Sequence, residues 1–243
     1  MNDPLVYLNG CITPLSEAKI PVLDRGFIFG DGIYEVIPVY DRKMFRADEH
    51  MARLFRSLAA IGIPNPHNKE EWFALIAQVM DAHPSDDQMV YLQVTRGVAK
   101  RAHAFPAAMV PTVFIMTNPI VLPTDAVRAK GVQCVAMEDK RWLRCEIKSI
   151  SLLGNVLAAQ NAAEHGAIRY GLIEELCAAH HIPLEARRIS REEVFGADEV
   201  LLSSATKEVL AVVQLDDQTI GKGLPGPIYQ QLYAAYQHAK AAI

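Results

Sequence analysis

A nine-residue run of strand-forming residues limits what the chain can fold into. The run, Gly32-Ile33-Tyr34-Glu35-Val36-Ile37-Pro38-Val39-Tyr40, is entered through glycines and alternates between two kinds of face. This alternation is typical of a strand that covers a core on one side. Further strands are predicted at Leu5–Leu8, with a hairpin partner at Cys11-Ile12, and at residues 89–95 and 112–117. The first half of the chain should therefore contain a sheet.

Helical patterns alternate with these strands. Apolar residues at three- and four-residue spacing follow Asp48, which is predicted to cap a helix, and a second pattern covers residues 70–82. In the second half we expect helices from about Asp125, over 152–165, over 168–179 and from about Pro227, and strands at 132–136, 185–189, 199–203 and 209–215.

The mixture of elements predicts an α+β protein with two domains. A smaller domain covers residues 1–118, and a larger one covers residues 124–243. Residues 119–123, which lie in an apolar stretch interrupted by two prolines, are predicted to form the crossover between them.

Composition and charge exclude several classes of protein. The 243 residues are 51% hydrophobic, which is ample for a buried core. The net charge is −4 with both signs interspersed, so neither nucleic acid nor a membrane surface is an expected partner. No apolar run is long enough to span a bilayer, and no export signal is evident. We expect a cytoplasmic protein with a small-molecule partner.

Cysteines and histidines do not predict a metal site. The four cysteines have no paired spacing and are expected to be reduced thiols. His180-His181 has no further ligands at suitable spacing, so it is interpreted as a cationic helix end rather than a metal site.

Lys148 lies where a polar segment meets a long apolar, Ala-rich helical pattern. Ile147, the pair Leu152-Leu153 and Val156 supply an apolar setting that favours a neutral, nucleophilic amine. Such an amine forms Schiff bases with carbonyl compounds. The alternative is a solvated surface lysine at a helix start, which composition alone favours.

Three segments in order along the chain resemble one enzyme family. Asp24-Arg25-Gly26-Phe27-Ile28-Phe29-Gly30-Asp31-Gly32-Ile33-Tyr34-Glu35-Val36 is similar to the entry motif of the fold type IV (class IV) pyridoxal-phosphate-dependent aminotransferases. Glu49-His50-Met51-Ala52-Arg53-Leu54 resembles their phosphate-arginine helix, and Arg141-Trp142-Leu143-Arg144-Cys145-Glu146-Ile147-Lys148-Ser149 resembles their cofactor-lysine segment. The resemblance implies a two-domain, homodimeric α+β enzyme with pyridoxal 5'-phosphate in the interdomain cleft.

The resemblance also implies roles for individual residues. Lys148 would be the catalytic residue and would bind the cofactor covalently. Arg53 offers a planar fork that suits a phosphate group. The remaining phosphate contacts would come from an anion-binding turn and from a helix N-terminus, namely Ser204, Ala205 and Thr206 in the turn and Ile168 and Arg169 in the helix. Tyr34 and Val36 would line the substrate side of the site.

One loop indicates the subfamily. Arg101 and His103 resemble the carboxylate-binding pair of D-amino acid transaminases, which reaches in from the partner subunit. Two residues that are two apart in an extended loop face the same side, so both can bind one carboxylate. The implied reaction is transamination between a D-amino acid such as D-alanine and a 2-oxo acid such as 2-oxoglutarate. The alternatives are a basic solvated loop, or a branched-chain, other L-amino acid or amine transaminase.

A segment of the family pattern is absent between residues 167 and 168. It comprises a few dozen residues and includes a glutamate that pairs with the pyridine nitrogen. Glu174, Glu175 and Glu185 do not occur in the matching context, so that acid is unassigned. Either encoded residues are absent from this sequence, which we favour because losing central strands would expose sheet edges, or the deletion is real. A real deletion would favour a non-catalytic relative.

Overall fold

The structure, a computed structural model, describes residues 3–136, 146–153, 155–156, 174–185, 187–204 and 207–242. These residues form two compact units. The first contains residues 3–120 and 146–153, and the second contains the described residues of 121–136 and of 155–242.

The first unit is built on a six-stranded antiparallel sheet. Its strands are β1 (Leu5–Leu8), β2 (Cys11–Pro14), β3 (Gly32–Tyr40), β4 (Lys43–Met44), β5 (Gln88–Thr95) and β6 (Thr112–Pro119). Their order across the sheet is β2-β1-β6-β5-β3-β4. The predicted strand over residues 32–40 is confirmed, and it pairs along its length with β5.

Three helices and one turn complete the first unit. They are a 3-10 turn (Leu15–Glu17), α1 (Arg25–Phe29), α2 (Ala47–Ala60) and α3 (Lys69–Asp81). Alternate residues of β3, including Ile33 and Ile37, are fully buried in a core with Leu54 of α2 and with Trp72 and Ile76 of α3. Tyr34 and Val36, which alternate with these residues on β3, are only partly buried, so this part of the opposite face stays accessible within this unit.

The prediction that Asp48 caps α2 is wrong. The N-cap is Arg46, which has a left-handed φ of 54° and makes no capping bond through its side chain. Asp48 lies instead in the first turn, where a carboxylate interacts favourably with the helix dipole. Its carboxylate also pairs with Lys69 at 2.7 Å.

The second unit contains a four-stranded sheet and four described helices. Its elements are α4 (Asp125–Lys130), β7 (Val132–Cys134), α5 (Glu174–Ala179), α6 (Arg191–Phe195), β8 (Val200–Ser204), β9 (Glu208–Leu215), β10 (Gln218–Thr219) and α7 (Pro227–Ala241). Strand β9 pairs in parallel with β7 and antiparallel with β8 and β10. Val132, Leu210 and Val212 form the buried centre of this sheet.

One predicted strand of the second unit is wrong. The described residues of 185–189 form no strand, and the helix α6 follows them. Ser190 and Glu193 form a capping box at its start, a Ser-x-x-Glu signature that was present in the sequence. Most of the helix predicted over 152–165, most of the helix predicted over 168–179, and the junction at 167/168 lie outside the described residues.

Residues 146–153 belong to the first unit because their backbone pairs with β3. Tyr34 N–H donates to the Lys148 carbonyl at 2.9 Å, and Ile150 N–H donates to the Gly32 carbonyl at 3.1 Å. This placement differs from the domain assignment made from the sequence, which put Lys148 in residues 124–243. The predicted domains themselves stay a prediction.

Candidate active site

The amine of Lys148 lies over an aromatic ring. Its Nζ is 3.8 Å from the centroid of the Tyr34 ring. The backbone of the lysine is fixed on two sides, because its carbonyl accepts from Tyr34 N–H and its own N–H donates to Ser57 Oγ of α2 at 3.4 Å. Strand β3 and helix α2 therefore jointly position the backbone from which the amine extends.

The surroundings of Lys148 differ in part from the predicted apolar setting. Ile147 is buried with 4% exposure, as expected, but Leu153 is 72% exposed and Val156 is 60% exposed. The near neighbours of the amine are instead aromatic, since the Tyr34 ring stacks on Tyr91 with 5.8 Å between centroids. A cation or a polarised amine is stabilised by such ring faces.

Two residues of β5 extend this cluster and were not predicted from the sequence. The strand register pairs Tyr34 with Gln93 and Val36 with Tyr91, so all four side chains share one face of the sheet. The hydroxyl of Tyr91 donates to Gln93 Oε1 at 2.7 Å. Burial, with a smaller contribution from Tyr34, raises the pKa of Tyr91 to about 12. The sequence signal for these two residues was the alternation of β5, but only the register of the sheet shows that they lie beside Tyr34 and Val36 of β3.

Arg53 is held by a buried carboxylate. Its Nε and Nη2 donate to the two carboxylate oxygens of Glu35 at 2.7 Å each, and His50 Nδ1 lies 3.0 Å from Glu35 Oε2. Burial raises the pKa of Glu35, but the hydrogen bonds and charges of Arg53 and His50 outweigh it and hold that pKa below its usual value. The same hydrogen bonds raise the pKa of Arg53. The pair is therefore a fixed ion pair.

The chemistry of these groups fits a phosphorylated aldehyde. Arg53 is still 41% exposed at its side chain, and its two bonds to Glu35 leave the third guanidinium nitrogen, Nη1, able to face an anion. Lys148 supplies a primary amine, which is the group that condenses with an aldehyde. Both groups lie in the first unit.

Arg101 and His103 lie against one ring. The guanidinium carbon of Arg101 is 5.4 Å from the centroid of the Phe29 ring, and the His103 ring centroid is 5.5 Å from it. Both residues are exposed, as the prediction of a ligand-binding pair requires. The structure therefore brings the two side chains to the same place.

The predicted phosphate contacts of the second unit are described only in part. Ser204 ends β8, and its hydroxyl accepts a hydrogen bond from Lys207 N–H at 3.0 Å. Ala205, Thr206, Ile168 and Arg169 lie outside the described residues. Among described residues, no group of three or more His, Cys, Asp or Glu is placed to hold a metal ion. None of the described helices has the length and apolarity to cross a membrane.

A lysine amine over a tyrosine ring and, in the same unit, an arginine whose side chain is 41% exposed are the groups that a Schiff-base enzyme with a phosphorylated cofactor needs. Residues 32–169 match the model of the amino-transferase class IV family. The chain belongs to this family. The family predicted from the sequence is confirmed.

Comparison with known proteins supports this assignment. The chain is similar to D-alanine aminotransferase of Bacillus licheniformis, at 36% identity over 96% of both chains. It is also similar to D-alanine aminotransferase of Staphylococcus aureus (strain N315), at 34% identity over 96% of both chains.

Solved structures show the same fold. The branched-chain amino acid aminotransferase from Escherichia coli matches with a TM-score of 0.84 and 20% identity, over 97% of this chain and 94% of that one. The branched-chain aminotransferase of Thermoproteus uzoniensis with norvaline matches with a TM-score of 0.85 and 20% identity, over 98% of this chain and 94% of that one. The predicted fold type IV α+β class is confirmed.

The relatives contain residues that this chain lacks. The alignment with the Bacillus licheniformis enzyme spans 273 positions. This chain contributes 96% of its 243 residues to the alignment, which is about 233 residues. About 40 positions of the alignment therefore have no residue in this chain. This difference agrees in size with the few dozen residues that the motif comparison found absent.

Proposed function

We propose that this protein is a pyridoxal-phosphate-dependent transaminase that moves an amino group between a D-amino acid, such as D-alanine, and a 2-oxo acid, such as 2-oxoglutarate. The observation that carries the proposal is the Lys148 amine, which is held 3.8 Å from the Tyr34 ring by backbone bonds to β3. The relatives named D-alanine aminotransferase support the choice of substrate.

We assign a task in this reaction to each predicted site residue. Arg53, oriented by Glu35, would hold the cofactor phosphate, with Ser204, Ala205, Thr206, Ile168 and Arg169 as further proposed phosphate contacts. When bound, pyridoxal phosphate supplies an aldehyde for the amine and an electron-accepting ring. Lys148 would hold the cofactor at rest, and its freed amine would take the proton from the substrate Cα as a general base.

The substrate would be oriented by its carboxylate. Arg101 and His103 offer a guanidinium and an imidazole on one ring, so both can donate to the same carboxylate. Tyr34 and Val36 would line the opposite side. Fixing the carboxylate decides which face of Cα meets the lysine, and that choice sets the preference for the D-enantiomer.

A direct assay separates this proposal from its nearest alternative. Purified protein with pyridoxal phosphate is incubated with 2-oxoglutarate and either D-alanine or L-leucine, and glutamate is measured. We expect turnover of D-alanine. Turnover of L-leucine alone would favour a branched-chain or other L-amino acid transaminase and would refute the role of Arg101 and His103.

A non-catalytic role is the second alternative, and the 40 or so unmatched alignment positions are the observation that favours it. The intact mass of the purified chain shows whether those residues are present. A visible absorption band that shifts on addition of D-alanine and is lost in Lys148→Ala would support catalysis. The absence of any band in the wild-type protein would favour the non-catalytic relative.

We also propose that the protein acts as a homodimer in which Arg101 and His103 reach the partner's site. Beside their loop, apolar side chains are exposed on the first unit: Val22 is 72% exposed, Phe27 69% and Val98 51%. The segments of Val22 and Val98 are adjacent, since Ala99 N–H donates to the Leu23 carbonyl at 3.3 Å. An apolar patch of this kind is typical of a subunit interface.

Mixed dimers test the exchange of residues between subunits. Lys148→Ala and Arg101→Ala chains should be inactive or weak alone, but a heterodimer of the two would have one site with both groups intact. Random co-assembly should restore about a quarter of wild-type activity, because half of the dimers would carry one complete site out of two. No recovery in co-expressed dimers would place Arg101 in its own subunit's site.

A cytoplasmic location is part of the proposal. Cys11 and Cys177 are free thiols. Unpaired thiols are usual in a reducing compartment. Fractionation of the source cells, with the protein detected by antibody, tests this location.

A further inference from the structure

Helix α1 begins at a buried carboxylate that ties it to the sheet. The side chain of Asp24 is fully buried and accepts from Gly26 N–H at 2.8 Å, which caps the helix. It also accepts from the hydroxyls of Thr95 at 3.1 Å and Thr112 at 2.6 Å, which end β5 and begin β6. The position of α1 is therefore set by its bonds to the sheet, because a helix of five residues is not stable by itself.

The next residue, Arg25, is bound to the loop that carries the proposed carboxylate-binding pair. Its guanidinium is buried, and its Nη1 donates to the Ala102 carbonyl at 2.5 Å while Nη2 donates to the His103 carbonyl at 3.3 Å. Its third nitrogen, Nε, donates to Asp31 at 2.7 Å. One side chain thus fixes two successive carbonyl groups of the loop.

Asp31 connects this arginine to a second buried one. Arg96 donates from Nε and Nη2 to both carboxylate oxygens of Asp31, at 2.8 and 3.0 Å. Arg96 also donates to the carbonyls of Ile61 and Gly62, and its guanidinium carbon lies 3.6 Å from the centroid of the Phe105 ring. The loop is therefore held at both its ends, by Arg96 at the start and by Phe105 beyond His103.

The last residue of α1 contacts the side chains of the pair. The Phe29 ring lies 4.9 Å from the guanidinium carbon of Arg25 and 5.4 Å from that of Arg101, and the His103 ring is 5.5 Å away. A ring face with two guanidinium groups beside it attracts both cations and limits the rotamers of Arg101. Arg25 therefore fixes the backbone of the loop, and Phe29 restrains the side chains of Arg101 and His103.

We infer that Arg25 and Phe29 are positioning residues for the substrate carboxylate, which act through Arg101 and His103 without touching the substrate. This inference rests on the proposed function. A flexible loop would have to become ordered each time a carboxylate binds, and that ordering weakens binding. The contacts of α1 remove this cost beforehand, so they set the affinity for carboxylate substrates more than the rate of the chemical step.

The chain contains a matched control for Arg25. Arg42 also donates from Nε to an aspartate, Asp86, at 2.7 Å and from Nη2 to a backbone carbonyl, that of His83, at 3.2 Å. These contacts lie at the turn between β3 and β4. Arg42→Met therefore removes the same kinds of bond at a position that has no contact with α1 or the loop.

The experiment compares Arg25→Met, Phe29→Leu and Arg42→Met in the full chain with cofactor. For the first two we expect the KM for D-alanine and the inhibition constant of propionate, a carboxylate probe that cannot react, to rise about tenfold, with kcat changed less than about twofold. Trypsin should also cut faster after Lys100 or Arg101, as followed by mass spectrometry. Arg42→Met should match the wild type in each measurement.

The same substitutions in an Arg101→Ala background show whether α1 acts through the loop. Residues that act through one another are not additive, so Arg25→Met should raise KM by less than about twofold further. Full additivity would overturn the inference, as would unchanged KM and unchanged trypsin cleavage in both Arg25→Met and Phe29→Leu. If Arg25→Met does not fold, Phe29→Leu alone decides.

The two hypotheses fail in different ways. A wild-type protein without D-alanine turnover refutes the proposed function, and the trypsin comparison then still decides whether α1 orders the loop. A wild-type protein that uses D-alanine, with a raised KM in Arg101→Ala but not in Arg25→Met or Phe29→Leu, refutes the positioning role alone.

Discussion

Arg53 and Glu35 form a two-pronged ion pair between α2 and β3, with both hydrogen bonds at 2.7 Å and the Glu35 side chain fully buried. The arginine that faces the proposed cofactor phosphate is therefore already oriented by the protein itself. This pair joins the buried Glu35 to the partly exposed Arg53 that we propose binds phosphate, so it should affect both stability and binding.

Removing the cation of this pair should destabilise the protein strongly. Arg53→Met leaves the buried Glu35 carboxylate without its charged partner, and we expect the free energy of unfolding to fall by about 3 kcal/mol. Urea unfolding of the apoprotein, followed by circular dichroism, measures it. The control is Arg46→Met, which breaks an ion pair with Glu49, whose side chain is 58% exposed. This substitution should lower the free energy of unfolding by less than about 1 kcal/mol. Equal effects would contradict a special role for the Glu35 pair.

Acid should weaken this pair. The pKa of Glu35 lies below its usual value of 4.5 in the folded protein, because the arginine and histidine bonds outweigh the effect of burial. The stabilisation is therefore fully present above about pH 4.5 and is lost as the pH falls through the folded-state pKa. Urea unfolding at pH values from about 7 to about 3 should show a shallower decline in Glu35→Gln than in the wild type. Parallel declines in the two proteins would show that Glu35 does not contribute.

Gly97, at the start of the proposed carboxylate-binding loop, should not tolerate a side chain. Its φ is 85°, and a Cβ there would overlap the carbonyl oxygen of Val110. Gly97→Ala should therefore cost more than about 2 kcal/mol of unfolding free energy, since strain and overlap add. Gly10 has a similar φ of 96°, but no described atom lies within 4 Å of a Cβ built on it.

Gly10→Ala is thus the control that isolates the backbone strain, at about 1 kcal/mol. Thermal unfolding of both variants measures the difference. If the two alanine variants lost the same stability, the close approach of Val110 would have no energetic consequence.

Among the described residues of the second unit, Glu208 is the carboxylate whose removal should lower the free energy of unfolding most. Its buried side chain accepts from Arg128 at 2.7 Å and from Gln237 and Lys240 at 2.9 Å each, which joins the start of β9 to α4 and α7. Glu208→Ala leaves two cations poorly compensated and should lower the free energy of unfolding by about 3 kcal/mol. Glu185→Ala, whose carboxylate pairs with Arg187 at the surface, should leave urea unfolding unchanged. A stability loss of similar size in both variants would refute the prediction.

Local patterns in the sequence were enough for most elements and for the family. The strand over residues 32–40, the hairpin at the start of the chain and the C-terminal helix were predicted because their periodicity and turn residues are local signals. Lys148, Arg53, Arg101 and His103 were selected by short motifs for the same reason. The cap of α2 at Arg46 and the helix α6 were missed, the first because its left-handed backbone leaves no side-chain signal.

Contacts between distant residues could be decided only by the tertiary structure. Arg25 reaches carbonyl groups 77 and 78 positions away, and Tyr91 stacks on Tyr34 because strand register aligns β5 with β3. A sequence specifies which residues alternate on a strand, but it does not state which strand lies beside it, because pairing depends on the packing of the whole sheet. Local motifs in the sequence therefore identify the reactive groups, while the orientation and the partners of these groups follow from contacts that exist only in the folded protein.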